Sequence, residues 1–191
     1  MSENNKHTAL VPSAKIADEA SKRNNAKSVR KGDPPLHMTD DMRRLSTPWS
    51  ISMARAKQIE TSNLPAGVIL DAAAGSGAQL IALSTELKRP ALAIELDGNI
   101  AVLCAANMHI ASDGEEIQRT LDRVIIGDGS DAEGAITAYW NSLRKAGTRA
   151  HPPIAMLHLD PARPKDAQSH HIDEMQPSLK SILNSWNEYL Q

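Results

Sequence analysis

Short, almost continuous apolar runs alternate with longer segments of helical pattern from residue 68 onwards. The runs are Val68–Leu70, Ala91–Leu96, Val124–Ile126 and Ile154–Leu159, interrupted only by single polar residues. Strands of a parallel sheet are covered on both faces and are therefore apolar throughout. Strands separated by helical segments are typical of such a sheet. The pattern predicts an α/β fold with a parallel sheet and helices on both faces.

The segments between the runs carry the signals that begin and end helices. Asp97 and Asp131 each precede a helical segment, where an acidic side chain can cap the first free N–H groups. Thr47 followed by Pro48 is a further helix start. The predicted helices run from about 48 to 61, from 78 to about 87, from about 98 to 112, from about 132 to 145 and from about 177 to 190.

The chain divides into three segments by composition. Residues 1–37 are polar and mixed in charge, so they are predicted to form a flexible polar tail. Residues 38–67 are predicted to be a helical lead-in, and residues 68–191 the core domain. The basic stretch at 22–31 can contact phosphates, or it can simply be a solvated part of the tail.

Composition narrows the class of protein. The 191 residues suit one ordinary domain, and 41% hydrophobic residues are enough for a core. Phe is absent, so the interior has to be built from smaller side chains. A net charge of -2 gives no global signal for nucleic acid or membrane. With a single cysteine, no signal peptide and no membrane-length apolar run, the sequence predicts a cytoplasmic protein that binds neither membrane nor metal.

Each predicted strand ends in an acidic residue. These residues are Asp71, Glu95, Asp128 and Asp160. In parallel sheets, ligands bind beyond the carboxyl ends of the strands, where these four side chains would meet. Any one of them can be an ordinary turn residue, but four acids at four strand ends together favour a ligand site.

The turn after the first strand contains the glycines Gly75 and Gly77, which let a ligand approach the backbone closely. Free N–H groups at the start of the following helix favour a negatively charged ligand group. Asp71 can accept hydrogen bonds from a cationic or hydroxyl-bearing part of the same ligand. A nicotinamide-binding loop would have a third glycine, which this sequence lacks. A nicotinamide-dependent oxidoreductase is therefore the less favoured interpretation of a nucleotide-like site.

The spacing DxxxGxG, followed by Glu-Leu-Asp at the second strand, resembles the class I S-adenosylmethionine-dependent methyltransferases. The resemblance implies a Rossmann-like fold whose parallel sheet has the strand order 3-2-1-4. It also implies S-adenosylmethionine as the cofactor, with separate residues for its methionine, ribose and adenine parts. By position these are Asp71, Ala73, Gly75 and Gly77 for methionine, Glu95 for the ribose hydroxyls, Leu96 beside the adenine, and Asp128 for the adenine amino group.

The end of the fourth strand reads Leu159-Asp160-Pro161-Ala162-Arg163 and is similar to the THUMP-like group of predicted methyltransferases, which have a DPARR motif. This likeness implies RNA as the substrate. Pro164 stands where the motif has a second arginine, and the last three strands of the family's sheet have no counterpart here. We therefore expect a fragment, a reduced fold, or a sheet completed by a partner chain.

Asp160 and Pro161 are the predicted catalytic residues. Asp160 can accept a hydrogen bond from the acceptor N–H or help remove its proton, whereas in the alternative interpretation the pair only shapes the loop. Arg163 is predicted to bind substrate phosphate or the cofactor carboxylate, or else to pair with Asp166 or Asp173. The predicted function is an S-adenosylmethionine-dependent RNA methyltransferase; the alternative is a non-catalytic cofactor-binding module or a truncated methyltransferase remnant.

Overall fold

The computed structural model describes residues 7–60, 64–112, 119–160, 175 and 177–191. Its strands are β1 (Thr8–Leu10), β2 (Val68–Asp71), β3 (Ala91–Glu95), β4 (Arg123–Ile126) and β5 (Ile154–His158). Its helices are α1 (Ala14–Arg23), α2 (Asp40–Leu45), α3 (Trp49–Glu60), α4 (Ala78–Leu87), α5 (Gly98–Ile110), α6 (Ala132–Lys145) and α7 (Leu179–Trp186). Strands and helices alternate from β2 onwards, which confirms the predicted α/β class.

The five strands form one mixed sheet with the order β1-β4-β3-β2-β5. The neighbours β4, β3, β2 and β5 are parallel, whereas β1 runs antiparallel to β4 with Thr8 opposite Ile126. The sheet therefore differs from the predicted wholly parallel sheet of order 3-2-1-4. The difference is the strand β1, which provides hydrogen-bonding partners for the outer edge of β4. Three residues are too few for a strand period to be recognisable in the sequence.

The described part of the predicted flexible tail, residues 7–37, contains β1 and α1. Ala20 of α1 is fully buried and packs with Leu103 and Ala106 of α5, and Ile16 lies beside them. The structure thus corrects the expectation of a flexible tail, because a few apolar side chains on one face of a polar helix are enough to cover α5. The division into a lead-in at 38–67 and a core at 68–191 stays a prediction.

Side chains of β2 alternate between the two faces of the sheet. Val68 and Leu70 pack with Tyr139 of α6 and Trp186 of α7. Ile69 lies in the opposite cluster, together with residues of α3, α4 and α5. The sheet is therefore the middle of three layers, and its carboxyl edge is left for loops.

The helix caps follow the sequence closely at two positions. The Asp97 carboxylate accepts from the N–H groups of Asn99 and Ile100 at the start of α5, and Asp131 accepts from Gly134 in α6. The predicted caps are thus confirmed.

The end of the chain differs from its predicted helix. α7 ends at Trp186 rather than at 190, and Leu190 forms a parallel bridge with Ile154 on the outer edge of β5. The backbone N–H of Gln191 donates to Ile154 O over 3.2 Å. Over the described ranges, no helix combines the length and the hydrophobicity needed to cross a bilayer.

Candidate functional site

The four strand-end acids lie at the carboxyl edge of the sheet. Asp71 and Glu95 are the last residues of β2 and β3, while Asp128 and Asp160 follow β4 and β5 by two residues. Because these four strands are parallel neighbours, the acids lie along one edge, at the position where α/β proteins bind their ligands. Each acid has its own environment, which decides what it can contact.

The loop between β2 and α4 has two residues in the left-handed region of the backbone. Gly75 has φ = +53° and Gly77 has φ = +76°, values at which a side chain costs about 1–2 kcal/mol. A Cβ atom on Gly77 would lie 2.7 Å from the sulfur of Cys104, which is buried in α5. The glycines therefore let the loop turn tightly and let α4 begin directly on top of α5.

Glu95 joins this loop to the start of α5. Its Oε2 accepts from the N–H of Gly75 over 2.9 Å, and its Oε1 accepts from the N–H of Asp97 over 2.8 Å. Burial raises the pKa of Glu95, and these N–H donors partly offset the effect. Next to it, the side chain of Leu96 is 71% exposed. The end of β3 thus offers a carboxylate and an open apolar surface side by side.

Asp128 shapes the turn after β4. Its Oδ1 accepts from the backbone N–H and from the hydroxyl of Ser130, over 2.8 and 2.7 Å. The next residue, Gly129, has no room for a side chain, because a Cβ atom would overlap the carbonyl of Ala72 in the glycine-containing loop. The carbonyl of Gly129 accepts from the indole N–H of Trp186 over 2.8 Å. The loops after β2 and β4 are therefore in backbone contact, with α7 attached to the second.

Asp71 has protein partners on both carboxylate oxygens. It is 3% exposed; Oδ1 accepts from the N–H of Ala73 over 3.1 Å, and Oδ2 lies 3.0 Å from Nδ1 of His158 at the end of β5. Burial alone would lower the pKa of His158. The hydrogen bond to Asp71 and the charges of Asp71 and Asp160 outweigh burial and the opposing charge of Arg55, and they raise the pKa of His158. A direct contact between Asp71 and a ligand stays a prediction, whereas the pairing of Asp71 with His158 is a feature that the sequence pattern does not indicate.

A cavity of about 380 Å³ lies between α3, α4 and the end of β5. Its walls include Arg55 and Ile59 from α3, Gln79 and Leu83 from α4, and His158 from β5. The volume falls in the range of about 300–1,000 Å³ that small-molecule pockets occupy.

A chain of hydrogen bonds connects this cavity to Asp160. Nη1 of Arg55 donates to Oε1 of Gln79 over 3.1 Å, and the Gln79 amide in turn donates to Oδ2 of Asp160. Asp160 itself is exposed. The predicted acceptor-side carboxylate is therefore held at the edge of a cavity that the sequence did not reveal.

A buried amide ties the glycine-containing loop to the N-terminal segment. Asn107 of α5 accepts from the N–H of His37 over 2.7 Å and donates to the carbonyls of His37 and Ser76, each over 2.9 Å. Both the amide oxygen and the amide nitrogen of Asn107 are hydrogen-bonded to backbone groups. This neutral side chain therefore fixes the glycine-containing loop against the N-terminal segment without any charge. The signal for this role is an asparagine inside the otherwise apolar stretch Ile100–Met108 of α5.

Two predicted site residues, Pro161 and Arg163, lie outside the described residues, as do Asp166, Asp173 and their neighbours. Sequence reasoning missed Arg55, Gln79, Asn107 and His158. For His158 the signal was an imidazole in an otherwise apolar strand. In the part of the chain that the structure describes, no group of three or more His, Cys, Asp and Glu side chains is arranged to hold a metal ion; that the protein needs none stays a prediction.

Comparison with known proteins gives little further information. No protein-family model matches the chain, and the comparison with curated proteins found no match. Among solved structures, Trm1 from Pyrococcus horikoshii, determined in complex with S-adenosyl-L-methionine, is similar to part of the chain, with a TM-score of 0.36 and 14% sequence identity. The similar region covers 50% of this chain and 29% of that chain. Similarity at this level does not bear on the function.

Proposed function

We propose that the chain is an S-adenosylmethionine-dependent methyltransferase that acts on RNA, with the cofactor bound at the carboxyl ends of β2 and β3. The observation that carries the proposal is the hydrogen bond between the Glu95 carboxylate and the N–H of Gly75, because it joins an acid and a glycine-containing loop on neighbouring strands. A carboxylate has about four lone-pair positions on its two oxygens. Glu95 accepts from the N–H groups of Gly75 and Asp97 on its two oxygens, and we assign its remaining lone-pair capacity to the ribose hydroxyls of the cofactor.

The surroundings of Glu95 fit the remaining parts of the cofactor. The exposed Leu96 side chain offers an apolar surface for the flat adenine ring. Oδ2 of Asp128 makes no hydrogen bond within the described ranges and can accept from the adenine amino group. The glycines at 75 and 77 leave the backbone open to the methionine part.

The cofactor supplies a methyl group on positively charged sulfur, and the protein has to bind and align the acceptor. We assign Asp160 to the acceptor side, where it accepts a hydrogen bond from the group that becomes methylated. The Gln79 amide supports this role, because it holds one oxygen of Asp160 and leaves the other for the acceptor. Pro161 and Arg163, which lie outside the described residues, keep their proposed roles as part of the catalytic pair and as a contact to phosphate.

RNA as the acceptor is supported by the basic stretch at 22–31. Lys22, Lys27 and Lys31 are exposed there, whereas Arg23 pairs with the acid of its own helix over 3.1 Å. Exposed lysines on one segment suit a phosphate backbone, and contacts of this kind weaken steeply as salt rises. We propose no membrane contact, and a partner chain that completes the sheet stays a prediction, as does a cytoplasmic location.

Isothermal titration of the full chain with S-adenosylhomocysteine, the demethylated cofactor, tests the binding half of the proposal. We expect a Kd of about 1 mM or tighter. Glu95→Gln should weaken binding roughly 10-fold or more, because hydrogen bonds to a charged group contribute about 1.5–3 kcal/mol. The matched control is Glu133→Gln, an exposed residue in the first turn of α6. No binding to the unmodified chain would overturn the proposal, and binding of NADH instead would support an oxidoreductase.

Transfer of labelled methyl groups to total cellular RNA tests the catalytic half. Asp160→Ala should lower the rate, while Asp18→Ala on the exposed face of α1 should not. An unchanged rate in Asp160→Ala would remove that residue from the mechanism. Cofactor binding without any methyl transfer by the unmodified chain would favour the non-catalytic binding module.

A further inference from the structure

The buried pair of Asp71 and His158 lies at the boundary of the cavity between α3, α4 and β5. The Asp71 carboxylate is 3.0 Å from Nδ1 of His158, and the His158 side chain is 16% exposed and lines the cavity. A carboxylate at Nδ1 keeps the proton on that nitrogen in the neutral ring. The other ring nitrogen, Nε2, then has its lone pair free, and it makes no hydrogen bond within the described part of the chain.

Three charged groups face the His158 ring from three elements. Asp71 on β2 and Asp160 after β5 favour the protonated ring, whereas Arg55 on α3 opposes it. Burial also opposes protonation, and the net effect is a raised pKa of His158. The raised pKa makes this imidazole a stronger proton acceptor than a free one, which suits a general base.

We propose that His158 is the proton acceptor of the methyl-transfer reaction, and that the cavity beside it holds an acceptor group that loses a proton on methylation, such as a hydroxyl or a ring N–H. The inference rests on the proposed function and specifies its substrate class. His158 and Asp160 then have separate tasks: Asp160 orients the acceptor from the edge of the cavity, and His158 takes its proton from within.

The step balances in atoms and charge. A lone pair of the acceptor atom forms a bond to the methyl carbon, the carbon–sulfur bond breaks, and its electron pair stays on sulfur. The proton of the acceptor passes to Nε2 of His158. One positive charge is lost from sulfur and one appears on the imidazole ring, where the buried Asp71 carboxylate stabilises it. The same Asp–imidazole arrangement supports general bases in other enzyme classes.

Nuclear magnetic resonance of the ring nitrogens tests the dyad without turnover. The full chain is labelled with 15N-histidine, and His158→Gln identifies the His158 signals. We expect the neutral ring to carry its proton on Nδ1 and its titration midpoint to lie above the ordinary value of about 6.5. Asp71→Asn should lower that midpoint. A proton on Nε2, or an unchanged midpoint in Asp71→Asn, would overturn the inference; if Asp71→Asn does not fold, the position of the proton in the unmodified chain decides.

Methyl transfer to total cellular RNA as a function of pH tests the catalytic role. His158→Gln should lower the rate roughly 100-fold or more and remove the rise of rate with pH, while its binding of S-adenosylhomocysteine stays unchanged. His151→Gln, an exposed histidine stacked on Trp140, is the matched control. Normal rate and pH profile in His158→Gln would refute the inference and leave the proposed function standing. If the unmodified chain neither binds the cofactor product nor transfers methyl groups, both fail.

Discussion

Asp122 should make the stability of the protein depend on pH around neutrality. It is 2% exposed at the amino end of β4, where its Oδ1 accepts from the N–H of Ala91 over 2.8 Å. Burial raises its pKa from 3.8 to about 7, although that hydrogen bond and the charges of Arg119 and Arg123 act in the opposite direction. This carboxyl lies at the opposite edge of the sheet from the strand-end acids, so its titration reports on folding rather than on ligand binding.

The sign of the effect follows from counting protons. Between pH 4 and 7, the carboxyl is ionised in the unfolded chain but protonated in the folded one, so the folded state binds one proton more and a rise in pH lowers the free energy of unfolding. The contribution is complete below the unfolded pKa and is lost once the pH passes about 7. A rise in pKa from 3.8 to about 7 corresponds to at most about 4 kcal/mol.

Urea unfolding of the original chain and of Asp122→Asn at pH 5, 6, 7 and 8 measures the effect. The asparagine keeps an oxygen for the N–H of Ala91 but cannot ionise. Between pH 5 and 7, the free energy of unfolding of the original chain should fall by roughly 2 kcal/mol more than that of Asp122→Asn, and the two curves should become parallel by about pH 8. Asp18→Asn, on the exposed face of α1, serves as the control. Parallel curves for the original chain and Asp122→Asn from pH 5 to 7 would refute the reasoning.

Two substitutions test the packing that positions the site. Gly77→Ala should lower the free energy of unfolding by about 2–4 kcal/mol, because the alanine is strained in the left-handed region and its methyl group is pushed against the sulfur of Cys104. Adding Cys104→Ala should recover part of that loss. Strict additivity of the two substitutions would contradict the contact. Trp186→Phe should lower the free energy of unfolding by about 1–3 kcal/mol, because it leaves the Gly129 carbonyl without its donor. Leu183→Ala on the same helix is the control; this side chain is 47% exposed, and the substitution should change the free energy of unfolding by less than about 0.5 kcal/mol. Equal losses in the two variants would show that the indole hydrogen bond does not contribute to stability.

The parts of the fold that the sequence predicted depend on local pattern. Apolar runs and helix caps depend only on residues that are neighbours in the sequence. The strands β2 to β5 and the caps Asp97 and Asp131 could therefore be predicted without any tertiary information. The common edge of the four acids followed from one general rule about parallel strands. In contrast, β1 has only three residues and is defined by its partner β4 rather than by its own pattern.

The parts of the candidate site that escaped prediction depend on distant pairs. Asp71 and His158 are 87 positions apart, and Gln79 and Asp160 are 81 apart. The strand motif placed Asp71 and Asp160 at the edge of the sheet but gave no reason to single out a histidine inside an apolar run. Residues that act through a contact across the fold become visible only when the register of the strands is known.

The pairing of β1 with β4 also has a consequence for how the chain folds. His7, just before β1, lies 3.5 Å from the carbonyl of Asp128, and the two are 121 positions apart. During synthesis β1 leaves the ribosome long before β4 exists, so the sheet can close only late, and contacts between such distant residues slow folding. Until then the outer edge of β4 is a free template for another chain. Deletion of the first ten residues would leave that edge of β4 unpaired in the folded protein as well, and we expect such a protein to aggregate.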